Sequence, residues 1–537
     1  MQARNSSAGF DLFVRQPQAS RWWSVGLVLL AGALQAASVA WPLSLPDALA
    51  GLGLQEGQPV WWLQTGAMAL LVHLLLGSAS VRQTAMLGWL FALTWLSLTF
   101  AWLYTSMHTY GGLAAPLAGL AVLGLAAVLA LYYALICGLF RALALMGSVL
   151  EAMVFAALWL LAELARGVWL SGFGWGAVAY AQIDGPLAPL LAWVGCYGVG
   201  FAAAALAALL ALAVRADNWR KRLVSLLVVL VAAGLCAHFP APAGADAGTL
   251  SVTLLQGNIA QEEKFESATG VPAALRWYGD QLQASRSALI ITPETALALL
   301  PEQLPDGYWH ALQQRFATGE QAALVGLPLG SFTEGYTNSV VGFKPGQASA
   351  WRYDKQHLVP FGEFIPPLFR WFTNLMKIPL GDFNRGAPVQ PTFDWQQQRL
   401  ATTICYENLF GEEMARHFAD PVRAPTLLVN ISNLGWFGER LAMDQHLQIA
   451  RARSLEFDRA FLLATNTGRT AIVDHLGRVT HALAPHTAAI LSAQVQGRTG
   501  ITPYAFWVSR WGLWPLWSLA AAVLLAAALS GRHRLRR

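Results

Sequence analysis

The stretch Thr402-Thr403-Ile404-Cys405-Tyr406-Glu407-Asn408, TTICYEN, decides how this chain is read. A β-branched run that suits a buried strand ends in a thiol flanked by an aromatic ring and a carboxylate. Around it, segments 250–258, 288–293, 322–328, 339–344, 400–405, 426–432, 461–466 and 470–475 also read as strands. Helical stretches such as 411–419 and 444–459 lie between them. Strands alternating with helices over about 260 residues predict one α/β domain layered around a sheet. Pro240, Pro242 and Gly244 form a short linker before it.

Outside that domain the composition changes. Only 12% of the 537 residues are charged, there are 23 tryptophans, and the mean hydropathy is +0.44. Those values belong to a membrane protein. The net charge of +5 is too small to argue for nucleic acid. Eight apolar stretches, near 24–43, 60–79, 85–104, 113–133, 145–163, 190–214, 223–239 and 511–530, are long enough to cross a bilayer. Several end in tryptophans (Trp22, Trp23, Trp61, Trp62, Trp511, Trp514), as interfacial anchors do. The first has small residues at Ala36 and Ala37 like a signal peptide, but its apolar run is too long for one and predicts an uncleaved anchor.

Lys and Arg alternate between loops. Arg4, Arg15, Arg21, Arg82, Arg141, the group Arg215, Arg220, Lys221 and Arg222, and the RHRLRR tail fall on one side, whereas 44–59 and 105–112 carry none. Both termini are therefore expected in the cytoplasm, the 240–510 segment outside, and the tail arginines against anionic lipid.

A thiol becomes a nucleophile when a base takes its proton and a cation or N–H group meets the resulting oxyanion. His357, His417, His446 and His475 are scattered, and none pairs with Cys405 by position. No HExxH, CxxC, GxSxG or phosphate loop occurs, so neither metal nor cofactor is expected. What stands out is a polar residue at each of three strand ends: Glu294 in ITPET, Lys355 in YDKQHLVPFGE and Cys405 in TTICYEN. Taken alone, Cys405 reads more readily as a buried structural thiol than as a nucleophile, and Lys355 as a solvated surface lysine. Cys137, Cys196 and Cys236 lie in or near apolar spans and read as packing residues. Glu163 and Arg166, three apart at a span edge, read as a structural pair or a lipid-headgroup contact.

Together these segments resemble the Glu-Lys-Cys signature of the nitrilase superfamily of carbon–nitrogen hydrolases. The resemblance extends through DKQHLVPFGEFIP (354–366), GDFNRG (381–386), ICYEN (404–408), NISNLGWFG (430–438) and ATNTGRTAIVD (464–474). With AELARGVWLSGFGWG (162–176) and the flanking spans, nearly the whole chain is similar to the apolipoprotein N-acyltransferase family. That resemblance implies a seven-span bundle over 1–239, a periplasmic nitrilase-like αββα sandwich over 240–505, and a last span with a basic cytoplasmic tail over 506–537.

It further implies a bacterial inner-membrane monomer that moves an acyl chain from a phospholipid to the N-terminal amine of a diacylglyceryl-cysteine lipoprotein. Cys405 would be the nucleophile, forming a thioester. Glu294 would be the base, its pKa brought near the operating pH by desolvation. Lys355 would face the oxyanion, with a backbone N–H after Cys405 as second donor. Glu363 and Glu407 match supporting acidic positions, although a strand-end carboxylate also serves to cap a helix. Tyr406 matches a neighbouring aromatic, and Trp436 and Phe437 a greasy loop above the acyl chain. Two positions depart from the family pattern: Phe265 stands where tryptophan is usual, and Leu434-Gly435 replaces Asp-Ala. A membrane-anchored amidase or nitrilase shares the triad but leaves eight spans unexplained, and a transporter predicts polar or broken spans.

Overall fold

Helices dominate the first half because the apolar runs there hold good helix formers, bounded by residues that cap. Ser80 accepts from the Gln83 N–H at one helix start, and Asn218 from the Arg220 N–H at another. The computed structural model describes residues 21–45, 51–143, 149–242, 244–331, 333–347, 349–365 and 383–535. Apolar helices stand where all eight stretches were expected: α1 (Arg21–Ala37), α2 (Trp61–Leu76), α3 (Val81–Thr99), α4 (Ala115–Ala142), α5 (Val149–Val168), α6 (Leu191–Arg215), α7 (Trp219–Ala237) and, late in the chain, Trp514–Leu535.

By length and composition three of the described helices are able to cross a membrane alone, or up to five if each bent pair counts as one span. The pairs are Val81–Thr99 with Trp102–Tyr110, bent by 53°, and Pro503–Trp511 with Trp514–Ser530, bent by 92°. α1 and α2 are shorter, and α7 opens on Arg220, Lys221 and Arg222, which dilute its apolar run. Arg4, Arg15 and the side chains of the tail arginines lie outside the described residues.

Small residues let the helices approach. A Cβ on Gly88 of α3 would lie 2.5 Å from Cys137 Sγ of α4, so only glycine fits where these two cross. Glu163 and Arg166 form no ion pair with each other. Instead Arg166 Nη1 donates to the Phe173 and Trp175 carbonyls (2.7 and 2.8 Å), and Glu163 accepts from the Val178 N–H (3.1 Å). Both are buried and clasp the loop that follows α5.

The second half is a four-layer sandwich. One sheet runs β12-β1-β2-β3-β4-β5 and the other β11-β10-β9-β8-β7-β6. The first holds β1 (Ala245–Gln256), β2 (Leu289–Ile291), β3 (Ala322–Ser331), β4 (Gly335–Phe343), β5 (Trp351–Asp354) and β12 (Ala489–Thr499). The second holds β6 (Phe393–Trp395), β7 (Gln398–Ile404), β8 (Leu427–Ser432), β9 (Ala460–Thr465), β10 (Ala471–Val473) and β11 (Val479–Ala482). Leu254, Ile291 and Val340 of one sheet meet Ile404, Val429 and Leu462 of the other in the central core. Helices α8 (Gly270–Ala284) and α9 (Tyr308–Thr318) cover the first sheet. Helices α10 (Leu441–Phe457) and α11 (Pro503–Trp511) cover the second, and α12 (Trp514–Leu535) follows.

α10 is also the docking face of the sandwich on the helical half. Glu456 accepts from the Cys196 N–H at 2.7 Å, and Arg453 pairs with Glu456 at 3.1 Å while donating to Cys196 Sγ at 2.9 Å. Arg451 pairs with Asp184. Glu456 is fully buried, and removing one partner of such a pair leaves a charge stranded in low dielectric. Glu456→Ala is therefore expected to destabilise the protein by roughly 3–5 kcal/mol, read as a lowered thermal midpoint in detergent. The double change Arg453→Met with Glu456→Leu should cost far less.

Candidate active site

Cys405, Glu294 and Lys355 each sit just past a strand: Cys405 directly after β7, Lys355 directly after β5, and Glu294 three residues after β2. Cys405 is held at φ 53°, in the left-handed region where a side chain is strained by about 1–3 kcal/mol. Neighbouring polar groups fix that turn. Asn430 Nδ2 donates to the Cys405 carbonyl at 3.1 Å, and the Ile404 N–H donates to Glu407 Oε2 at 2.7 Å.

The charges are packed closely and almost dry. Lys355 Nζ lies 2.8 Å from Glu363 Oε1 and 3.4 Å from Glu294 Oε1. Asn338 Nδ2 donates to both carboxylates, at 2.7 Å to Glu294 and 2.8 Å to Glu363. The Asn433 N–H donates to Glu294 Oε2 at 2.8 Å, and the Val359 N–H to Glu363 Oε2 at 2.9 Å. Lys264 Nζ donates to the Glu294 carbonyl at 3.0 Å.

These surroundings set the protonation states. Burial pushes the Glu294 carboxyl up, but Lys355, Lys264 and the Asn338 and Asn433 donors outweigh it, and the carboxyl is held below its ordinary value. Desolvation was expected to bring Glu294 near neutrality; the two lysines and the donors reverse the sign. Burial, aided by the Glu294 charge and opposed by Lys355, pushes the Cys405 thiol up to about 12. Burial works against the Lys355 ammonium, yet Glu363 and Glu294 raise it well above its usual range. The ground state is thus a thiol beside an anionic carboxylate and a cationic lysine.

All the other expected residues but one make polar or ring contacts within the protein. Glu407 accepts from the Gln356 and His357 N–H groups (2.7 and 3.1 Å) and from Tyr353 OH (2.9 Å), tying the Lys355 turn to the Cys405 turn. Burial outweighs these donors and raises its carboxyl to about 7. Tyr406 OH donates to the Gly172 carbonyl of the helical half at 2.8 Å, and its ring stacks on Phe173. Phe437 packs edge-on against Trp102, and Trp436, 38% exposed, packs against Tyr110. Phe265 is the exception, turned outward at 57% exposure while Lys264 beside it points in.

Asn338, Asn433 and Lys264 were not anticipated. An asparagine or lysine in a strand or loop carries no signal of its own; only the pairing of β4 with β5 brings Asn338 beside Lys355. His446 is fully buried behind the Cys405 turn, where Asn408 Nδ2 donates to its Nε2 at 3.0 Å. Burial pushes its imidazole down to about 4. His357 Nε2 donates to the Ser171 carbonyl at 2.9 Å and so serves the seam between the two halves. Among the described residues no group of three or more His, Cys, Asp and Glu side chains gathers in a metal-binding arrangement.

Residues 37–209 match the model of the apolipoprotein N-acyltransferase N-terminal domain, and residues 251–504 that of the carbon-nitrogen hydrolase family. Along its length the chain is 52% identical to an apolipoprotein N-acyltransferase of Verminephrobacter eiseniae, covering 91% of this chain and 94% of that protein. It is 43% identical to one of Ralstonia nicotianae (88% and 90% covered) and 40% identical to one of Bordetella bronchiseptica (95% and 98%).

Because Asn338, like Lys355, donates to both carboxylates, Asn338→Leu should leave each short of a partner at nearly constant volume. A loss of about 1–3 kcal/mol in stability is expected, measured by denaturant or thermal unfolding in detergent. An unchanged midpoint would mean that Lys355 alone satisfies both groups.

Proposed function

Because the chain belongs to the apolipoprotein N-acyltransferase family, we propose that the buried Glu294–Lys355–Cys405 cluster performs its N-acylation of lipoproteins, taking the acyl chain from a membrane phospholipid. The observation that carries this reading is the bond from Tyr406, next to the nucleophile, to the Gly172 carbonyl in the loop after an apolar helix. A soluble amidase has no use for a reactive turn tied to a membrane bundle. A phospholipid does, since each CH₂ drawn from the bilayer into water costs about 0.8 kcal/mol. In this reading all eight apolar helices reach the bilayer of the inner membrane, the sandwich faces the periplasm, and both termini are cytoplasmic.

Chemistry follows from the protonation states. Ionising a thiol of pKa about 12 before attack would cost roughly 7 kcal/mol at neutral pH, so the proton must leave as the sulfur bonds. Glu294 takes it while Sγ attacks the ester carbonyl carbon. The oxyanion forms beside Lys355 and the first N–H groups of the 405–409 turn. Collapse breaks the ester C–O bond, and the departing lysophospholipid oxygen takes the proton back from Glu294. The acyl group now rests on Cys405 as a thioester, a better acyl donor than the ester was. The N-terminal amine of the lipoprotein attacks it, gives its proton to Glu294, and leaves as the amide while that proton returns to sulfur.

Such a ping-pong sequence predicts that phospholipid without acceptor leaves one acyl group on Cys405, seen by intact mass and labile to hydroxylamine. Diacylglyceryl peptide should discharge it. Cys405→Ala should carry none, and Glu294→Gln should load about 10²–10⁴-fold more slowly. Active protein that transfers to the peptide without ever carrying acyl on Cys405 would refute the covalent route.

A further inference from the structure

Lys264 is 2% exposed, and its ammonium makes no ion pair within 4 Å among the described residues. Its hydrogen bond goes to a main-chain oxygen, the Glu294 carbonyl at 3.0 Å. A buried cation without a carboxylate partner is expensive to the fold, so packing does not account for it. A methionine would fill the same space at no such cost. The carbonyl it holds belongs to a constrained turn, since the next residue, Thr295, is at φ 46°, a sparsely populated conformation that its surroundings must impose.

We propose that Lys264 is a positioning residue for Glu294, holding the Glu294–Thr295 turn through its carbonyl and supplying a second positive charge that keeps the carboxylate ionised for its proton transfers with Cys405. The inference rests on the acyl-transfer reading above. Glu294 is faced from several elements: Lys355 and Glu363 beyond β5, Asn338 on β4, Asn433 after β8, Cys405 after β7 and the neutral His446 on α10. Of these only Lys355 is cationic, and it is shared with Glu363 at the shorter distance of 2.8 Å. Two carboxylates and one lysine would leave the cluster net negative in low dielectric. Lys264 brings it to balance. Burial pulls the Lys264 ammonium down to about 8, with Glu294 and Cys405 drawing it back up, so it stays charged at neutral pH.

The test is the pH dependence of acyl loading on Cys405, followed by mass in detergent micelles with phospholipid as donor. In the wild type, loading should fall only as pH drops through the depressed Glu294 value. Lys264→Met removes both bond and charge, Lys264→Gln keeps a donor and removes the charge, and Lys264→Arg keeps the charge. The acid limb should move to higher pH by about one unit or more in the Met and Gln variants, return towards wild type in Lys264→Arg, and leave the donor KM unchanged in all three. An acid limb identical to wild type in Met and Gln, whatever the loss of rate, would overturn the proposal. So would a limb that moves with Met and not with Gln, because the hydrogen bond alone would then suffice. Wild-type protein that loads no acyl group at any pH would instead refute the covalent mechanism on which the proposal rests.

Discussion

Everything at this site depends on keeping the Glu294 carboxylate ionised in a place from which water is nearly excluded. Lys355, between Glu363 at 2.8 Å and Glu294 at 3.4 Å, is the interaction that makes this possible. A lone buried carboxylate would take up a proton rather than bear the desolvation cost, and in the proposed mechanism a protonated Glu294 could not serve as the base. Pairing alone does not suffice, because two acids share one lysine. Asn338, the Asn433 N–H and the Lys264 contact to the Glu294 main chain complete the support. The cost of assembling so much charge falls on the surrounding fold, which explains why the residues come from strand ends held by two packed sheets. Positions on rigid strands do not drift as those on long loops do.

The helical half takes part in that rigidity. Leu170, Ser171 and Gly172 all have positive φ, and the carbonyls of the last two receive His357 and Tyr406. One of those residues follows Lys355 by two positions and the other follows Cys405 directly. Arg166, buried and bonded to the Phe173 and Trp175 carbonyls, sets the path of the loop from inside the bundle. A strained loop is thereby clamped from within the helical half and bonded by the turns that carry Lys355 and Cys405. The apolar core is continuous across the same seam, with Tyr406, Leu409 and Phe410 packed into the cluster formed by the bundle helices.

Much of this was legible in the sequence, and the failures have physical causes. The eight expected strands all exist, being the inner strands of the two sheets. The four not anticipated, β5, β6, β11 and β12, are the four sheet edges. An edge strand has one partner and a wetter face, so it carries no continuous apolar run to announce it; β11 is exposed at all four positions. Glu294, Lys355 and Cys405 were readable because each polar group interrupts an apolar strand end. Asn338 and Lys264 were not, since their importance lies in what the fold brings beside them. At QEEKF the visible departure was Phe265, yet the residue turned inward, onto the Glu294 carbonyl, is Lys264 beside it. The charge state of Glu294 was misjudged for a related reason: composition suggests desolvation, whereas the sign depends on cations arriving from distant segments.

Glu294 must be a carboxylate, held so by Lys355, when the substrate arrives. Difference infrared spectroscopy of the purified protein, with Glu294→Gln as the subtraction, isolates the carboxyl band of this one residue. A carboxylate signal and no protonated C=O stretch are expected for Glu294 at neutral pH, and a protonated stretch should emerge when Lys355 is replaced by Met. A protonated Glu294 band in the wild type at neutral pH would show instead that Lys355 does not hold this carboxyl ionised.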